Sequence, residues 1–120
     1  MEKKSIIKDK SFDFAIKTVK LYKQLANDKK EYVLSKQLLR SGTSVGANIR
    51  EAHNAQSKPD FVHKLSISQK ECDESLYWLE LLHQTDYLDK TRFNELHGDA
   101  TEILKILRSI ILTTKQKMNK

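Results

Sequence analysis

Residues 57–82 read SKPDFVHKLSISQKECDESLYWLELL, and their periodicity is the clearest in the chain. Apolar or small residues alternate here at intervals of four and three positions, at Phe61, Leu65, Ser68, Cys72, Ser75, Leu79 and Leu82. Such spacing over three heptads puts these side chains on one face of an α-helix. Ser57 followed by Pro59 and Asp60 is a pattern typical of a helix start. The stretch therefore predicts a long amphipathic helix that begins at Ser57.

Three further segments have helical spacing. The first is expected to begin at Ser11 as N-cap and to end at Asn27 and Asp28, with an apolar face formed by Phe12, Ala15, Val19, Tyr22 and Ala26. The second is expected from about Ser35 to Ala55, with Ser35 as N-cap and a seam that includes Leu38, Ser41, Val45, Asn48 and Ala52. The fourth is expected from near Thr91, with repeats at Phe93, Leu96, Ala100, Ile103, Leu107 and Ile110.

The predicted fold is all-α. Short connections favour antiparallel neighbours, so the four segments predict an antiparallel up-down-up-down four-helix bundle over residues 11–115. Residues 1–10 are expected to form a basic, partly ordered segment, and residues 116–120 a basic tail. With 120 residues, three Gly and one Pro, the chain fits one helical domain and lacks the turn signals of an all-β protein.

Cysteine and hydropathy patterns indicate the compartment. The single cysteine, Cys72, excludes an internal disulfide and a multi-cysteine zinc site, and it favours a reducing environment. No apolar run approaches the roughly 18 residues of a membrane span, and the N-terminus lacks the apolar core of a signal peptide. We expect a cytoplasmic protein that does not bind a membrane.

The second segment contains an unusual run of small residues, SGTSVGA at residues 41–47. Two glycines inside a helix cost roughly 1 kcal/mol each relative to alanine, so another backbone should approach them closely, in a bundle neighbour or in a second subunit. Leu39, Gly42, Gly46, Ile49 and His53 form a second stripe beside the seam. Two stripes need two sets of partners. Together with the many apolar positions of residues 103–112, they favour a homo-oligomer.

Motifs that would carry catalysis are weak. Gly42 to Gly46 has the wrong spacing for a phosphate-binding loop, and Cys72 has the context of a small buried hydrophobe. Glu80 and His83 form the Glu-x-x-His unit of ferritin-like bundles, but no second helix carries a copy. We expect no catalytic residue, no metal, no other cofactor and no small-molecule substrate. A ferritin-like metal-binding bundle is the least favoured alternative.

Charge is distributed unevenly along the chain. The net charge is +6, yet residues 71–102 contain nine acidic and two basic residues. Glu71 and Glu74 are expected to pair with Arg or Lys across a helix contact. Basic residues recur on the predicted outer arcs of the first two helices, and together they are candidates to follow a phosphate backbone: Lys10, Lys17, Lys20, Lys36, Arg40 and Arg50.

Residues 37–52, QLLRSGTSVGANIREA, resemble the signature of small bacterial four-helix-bundle proteins related to those encoded in intervening sequences of large-subunit rRNA genes. Residues 55–61 and 70–79 resemble the next two blocks of that family, and the similarity extends over roughly residues 10–115. The resemblance implies a ring-like homopentamer with no known catalytic activity. One similar branch, the accessory proteins of diversity-generating retroelements, works with a reverse transcriptase and its template RNA through a basic surface.

The resemblance also implies structural or interfacial roles for the polar motif positions. The residues expected in helix packing or in the oligomer interface are Leu39, Ser41, Gly42, Ser44, Gly46, Asn48, Ile49, Glu51, Glu71 and Glu74. Together with the charge pattern, it predicts a non-enzymatic oligomeric scaffold that binds RNA or an RNA-protein partner. The alternative is a structural adaptor between proteins that does not contact nucleic acid.

Overall fold

The computed structural model describes the backbone of residues 3–119 and the side chains of residues 6–119. This part of the chain forms four helices and no strand: α1 (Lys3–Asp28), α2 (Leu34–His53), α3 (Lys58–Gln84) and α4 (Lys90–Met118). The all-α fold with four helices is confirmed. None of the helices within the described residues has the length and apolar character needed to cross a membrane.

The helices surround one apolar core. Each helix packs against the next along the chain, and α1 also packs against α4. The molecule is elongated, with dimensions of 52 × 23 × 22 Å. The largest fully buried side chains come from all four helices and are Ile7, Phe14, Leu21, Leu25, Leu38, Ile49, Leu65, Leu79, Leu82, Leu96, Ile103 and Leu107.

Helix α3 forms as its sequence pattern predicts. The Ser57 side chain accepts a hydrogen bond from the Asp60 N–H at 3.2 Å, and Pro59 lies in the first turn. The predicted seam is buried from Leu65 to Leu82, whereas Phe61 is only half-buried and Val62 is buried beside it.

Helix α1 differs from the prediction at its start and in its buried face. It begins at Lys3, so residues 3–10 are helical and Ser11 lies inside the helix rather than at its N-cap. The predicted apolar face was wrong: Phe12 is 55% exposed. The face turned to the core is instead formed by Ile7, Ser11, Phe14, Thr18, Leu21 and Leu25.

Two hydroxyl side chains explain why the true face of α1 was missed. Ser11 and Thr18 interrupt the apolar pattern, but both are about 1% exposed. The Ser11 hydroxyl donates to the Lys8 carbonyl at 3.1 Å, and the Thr18 hydroxyl donates to the Phe14 carbonyl at 2.8 Å. Because these bonds satisfy the hydroxyls within their own helix, burial costs little, and two small side chains face α2.

Helix α2 begins with a cap that the sequence pattern did not identify. The predicted Ser35 N-cap was wrong, because the helix starts at Leu34 and Val33 occupies the cap position without a side-chain cap bond. The carboxylate of Glu31 accepts instead from the N–H groups of Val33, Leu34 and Ser35, at 3.2, 3.1 and 2.8 Å. Burial acts to raise the pKa of Glu31, but these donors hold it below its usual value.

Helix α4 begins one residue before the predicted start. The Asp89 side chain caps it by accepting from the Arg92 N–H at 2.8 Å. Most of the apolar residues at positions 103–112 are buried inside this single chain, at Ile103, Leu104, Leu107, Ile110 and Ile111. Leu112 is 59% exposed and Ile106 is half-buried. A single chain thus buries five of these seven apolar residues and leaves Leu112 at the surface.

Candidate nucleic-acid interface

The glycines of α2 face α1 of the same chain. A Cβ atom on Gly42 would lie 2.8 Å from Thr18 Cγ2, and a Cβ atom on Gly46 would lie 3.3 Å from Ser11 Oγ. The sequence left open whether a bundle neighbour or a second subunit approaches this stripe, and α1 is that neighbour. The second stripe of α2 therefore does not by itself require a second subunit.

The seam of α2 meets α3 through a polar layer inside the core. Ser75 Oγ lies 2.9 Å from Ser41 Oγ, and Ser68 Oγ donates to the Val45 carbonyl at 2.8 Å. One turn away on α3, the Cys72 thiol lies 3.2 Å from the Ala100 carbonyl oxygen of α4, and burial raises the pKa of this thiol to about 12. Its burial and raised pKa make this thiol a poor nucleophile in the folded chain and suit a packing role.

The other residues of α2 that were predicted to pack range from buried to exposed. Ile49 is buried, and Leu39 is half-buried. Ser44 donates to the Arg40 carbonyl at 2.8 Å, and the Asn48 amide donates to the Ser44 carbonyl at 2.9 Å, so both polar groups bond within their own helix. The Asn48 bond does not reach α3. Glu51 is exposed.

Two of the six candidate phosphate-binding residues are ion-paired with α4. Lys10 Nζ lies 2.8 Å from Glu102 Oε1, and this hydrogen bond raises the pKa of Lys10. Lys17 Nζ lies 2.7 Å from Asp99 Oδ2 and 3.4 Å from Glu95 Oε2. The hydrogen bond to Asp99 raises the pKa of Lys17 although partial burial opposes it. These lysines neutralise acidic residues of the same chain.

A third candidate, Arg40, is ion-paired with α3. Its guanidinium lies 3.2 Å from Glu71 Oε2 and also contacts the Glu74 carboxylate. Trp78 Nε1 donates to the same Glu74 carboxylate at 3.2 Å. This network joins α2 to α3 in one chain, and it gives Glu71 and Glu74 a structural role.

The other three candidates lie on separate parts of the surface. Lys20 and Lys36 are exposed and make no ion pair with any described residue. Arg50 lies near the other end of α2, where its guanidinium carbon is 5.8 Å from the centre of the Phe12 ring. Lys10 and Lys17 face α4 while Arg40 faces α3, so these three side chains are engaged on different sides of the chain.

A cluster of exposed lysines at one end of the bundle was only partly recognised from the sequence. It includes the end of α1, the following turn and the start of α2, and we call it the lysine end: Lys20, Lys23, Lys29, Lys30 and Lys36. None of them is ion-paired with a described residue. Of the two acidic residues within this stretch, Asp28 is exposed, and Glu31 directs its carboxylate to the N-terminus of α2. In the sequence, the lysine end is visible as five lysines within 17 residues. They belong to two predicted helices and the turn between them, so grouping basic residues by helix face separated them.

An exposed groove runs between α1 and α2, and we call it the α1/α2 groove. Small residues form its floor at Ala15, Gly46 and Ala47, and Phe12 and Arg50 flank it. Its volume is about 530 Å³. Ile16, which is 40% exposed, lies one turn beyond Phe12 on α1. Two large apolar side chains beside small ones form a surface suited to helix packing.

Residues of the Glu-x-x-His unit make other contacts. Glu80 Oε2 lies 3.0 Å from His97 Nε2 on α4, and His83 Nδ1 lies 2.8 Å from the Leu88 carbonyl oxygen. Within the described residues, no three His, Cys, Asp or Glu side chains converge in a way that would hold a metal ion. Every buried side-chain nitrogen or oxygen described there also has a hydrogen-bond partner.

Comparison with known proteins identifies relatives over nearly the whole chain. A model of the family described as 23S rRNA-intervening sequence protein matches residues 3–109. A crystal structure of a protein of unknown function from the S23 ribosomal protein family of Bacteroides thetaiotaomicron VPI-5482 is 55% identical, with a TM-score of 0.90. The match covers 92% of this chain and 98% of that chain. No curated protein matches the sequence.

Proposed function

The chain belongs to the 23S rRNA-intervening sequence protein family, and from that premise we propose that it is a non-enzymatic, oligomeric helical scaffold that binds RNA through the lysine end. The solved relative has no assigned function, so the proposal depends on the surface of this chain. Its single buried cysteine suits a reducing compartment, and we place this activity in the cytoplasm.

The proposed scaffold is an antiparallel up-down-up-down bundle. Contacts between neighbouring helices support this direction, because residue numbers rise along one helix as they fall along the next. On α2 and α3, Ser41 lies beside Ser75 and the Val45 carbonyl binds Ser68. On α1 and α4, the ion pairs are Lys10 with Glu102 and Lys17 with Glu95 and Asp99.

The proposed assembly is the ring-like homopentamer that the family resemblance implies. A cyclic ring needs two different complementary faces on each subunit. The α1/α2 groove is our candidate for one face, because Phe12 and Ile16 expose apolar surface beside small residues. Large exposed side chains on other helices, Tyr77 on α3 and Leu112 on α4, are candidates for the second face.

The unpaired charge of the lysine end carries the RNA proposal. Elsewhere, Lys10, Lys17 and Arg40 are ion-paired with acidic side chains, and binding a phosphate would require breaking those pairs. The five lysines of the lysine end are not ion-paired with any described residue, although Asp28 is next to Lys29 in the sequence and Asp86 and Asp89 line a cleft together with Lys29. Free ammonium groups bind phosphates by releasing condensed counterions, which gives affinity with little sequence preference. A ring would repeat this surface, and several weak contacts would then act together.

Binding to a labelled RNA hairpin tests the proposal. We compare wild type with K20Q/K23Q/K36Q, which removes three charges from the lysine end, and with K105Q/R108Q/K115Q, which removes three from α4. All six positions are exposed, and none of these side chains is ion-paired with a described residue. Both variants should therefore fold. We expect the first variant to lose most of its affinity at low salt and the second to bind nearly as wild type. Equal losses in both variants, or no binding by wild type, would favour the protein-protein adaptor.

A further inference from the structure

A cleft of about 820 Å³ opens at the end of the bundle opposite the lysine end. Helix α2 ends here at His53, while α4 continues alongside to Met118. The chain crosses the intervening space in a four-residue turn that contains the small residues Ala55 and Ser57. Because small side chains leave this corner unfilled, α2, α3 and α4 enclose an open space.

Four of the eleven residues that line the cleft are apolar, and the other seven are polar. Ala52 and Ile110 are buried residues of the core whose surfaces reach the cleft, and Phe61 and Ala55 are half-buried beside them. A volume of this size lies within the range of roughly 300–1,000 Å³ that is usual for small-ligand sites. The apolar part of the lining therefore suits a hydrocarbon group.

The charges at the cleft have one sign. Lys58 and Lys117 line it, both are exposed, and neither is ion-paired with a described residue. Among the residues with described side chains, 6–119, no acidic residue lines the cleft, although Glu51 and Asp60 lie close to it in sequence. The lysines come from the first turn of α3 and the last turn of α4, so two cations flank the same opening.

Three of the other polar residues of the cleft have hydrogen-bond partners. Ser57 Oγ accepts from the Asp60 N–H, Thr114 Oγ1 donates to the Ile110 carbonyl, and His53 Nδ1 lies 2.9 Å from the Ile49 carbonyl oxygen. The two ammonium groups are therefore the side chains best able to select a ligand by charge.

We propose that this cleft binds an amphiphilic carboxylate of the medium-chain fatty-acid class. The hydrocarbon chain lies over Ala52, Phe61 and Ile110, and the carboxylate lies between Lys58 and Lys117. An apolar wall with a cationic rim matches both parts of such a molecule, whereas a neutral or cationic amphiphile matches only the wall. This binding is independent of the proposed RNA contact, which lies at the opposite end of the bundle.

Titration of the full-length, isotope-labelled protein with decanoate, followed by NMR, tests the proposal. We expect saturable amide shifts concentrated at Ala55, Phe61 and Thr113. K58Q/K117Q should weaken binding about tenfold, since two ion pairs are lost, and K29Q/K30Q at the lysine end should bind as wild type. Ala55→Leu should fill the cleft and abolish the shifts while the rest of the spectrum is preserved.

The uncharged analogue 1-decanol separates the contribution of charge from that of apolar contact. We expect it to bind about tenfold more weakly than decanoate to wild type and equally weakly to K58Q/K117Q. The proposal is overturned if decanoate gives no saturable shifts below its micellar concentration, if the shifts are spread over both ends of the bundle, or if decanoate and decanol bind wild type equally.

Discussion

Gly42 of α2 lies against Thr18 of α1 so closely that a methyl group at position 42 would come within 2.8 Å of Thr18 Cγ2 and 2.9 Å of Thr18 Oγ1. Thr18 has little freedom to move away, because it is β-branched and its hydroxyl bonds to the Phe14 carbonyl at 2.8 Å. The small-residue run of α2 thus sets the distance between two helices of one chain.

We therefore expect Gly42→Ala to destabilise the protein. Overpacking costs about 1–3 kcal/mol, and the higher helix propensity of alanine returns about 1 kcal/mol, so the free energy of unfolding should fall by about 1 kcal/mol. Gly98 is the matched control, since it is an exposed helical glycine with no atom within 4 Å of an added Cβ. Gly98→Ala should raise the free energy of unfolding by about 0.5–1 kcal/mol.

Urea denaturation of Thr18→Ala and of Thr18→Ala/Gly42→Ala, together with wild type and Gly42→Ala, completes a double-mutant cycle for positions 18 and 42. Removing the Thr18 methyl and hydroxyl should make the Gly42 substitution neutral or stabilising. If Gly42→Ala and Gly98→Ala change the free energy of unfolding of wild type equally, α1 and α2 do not make the close contact described here at Gly42.

The Glu31 cap predicts a pH-dependent contribution to stability. Its pKa is lower in the folded chain, so its contribution is present above the usual carboxyl pKa and is lost as pH falls through the folded value. Glu31→Ala should lower the free energy of unfolding by about 1–2 kcal/mol at pH 7. The difference from wild type should shrink below about pH 4. The exposed Glu51→Ala serves as the control, and a difference that is constant with pH would contradict the cap.

Burial should make Cys72 unreactive in the folded protein. With a pKa of about 12 and no exposed surface, its thiol should react with a disulfide reagent such as DTNB only when the chain opens. We expect one thiol per chain to react promptly in concentrated guanidinium chloride and very slowly under native conditions. Prompt native labelling would show that the seam of α3 is accessible.

Assembly should depend on the α1/α2 groove. Phe12→Glu/Ile16→Glu places two charges on exposed positions, so the chain should fold but remain monomeric. Light scattering at micromolar concentration should give five times the 14.0 kDa chain mass for wild type and one chain mass for this variant. Met118→Glu, at a similarly exposed position outside the groove, should assemble as wild type. A wild-type mass of one chain would contradict the oligomer.

The sequence predicted most of the fold because three helices have apolar patterns with few competing registers. Helix α3 is the clearest example, since its Ser57 cap and its seam from Leu65 to Leu82 were both found correctly. The prediction of the buried face of α1 failed because two faces of this helix have similar helical spacing. The predicted face contains Phe12, whereas the buried face contains the polar Ser11 and Thr18. Choosing between them required the positions of the α2 glycines.

The candidate site was less predictable, because ion pairing depends on tertiary contacts. Lys10, Lys17 and Arg40 were grouped by helix face, but their acidic partners, apart from Asp13 one turn from Lys17, lie 31 to 92 residues away along the chain. Glu31 was missed as a cap because its carboxylate acts across a turn from outside the helix. The lysine end is local in sequence, yet it was only partly recognised, because Lys23, Lys29 and Lys30 were not grouped with Lys20 and Lys36.

The salt dependence of RNA binding tests the central claim most directly. Each phosphate contact changes the slope of log Kobs against log salt by about −0.7 to −0.9. We predict a steep negative slope for wild type, a slope shallower by about 2 for K20Q/K23Q/K36Q, and a nearly unchanged slope for K105Q/R108Q/K115Q. A wild-type slope near zero, or the same slope in wild type and K20Q/K23Q/K36Q, would contradict RNA binding by the lysine end.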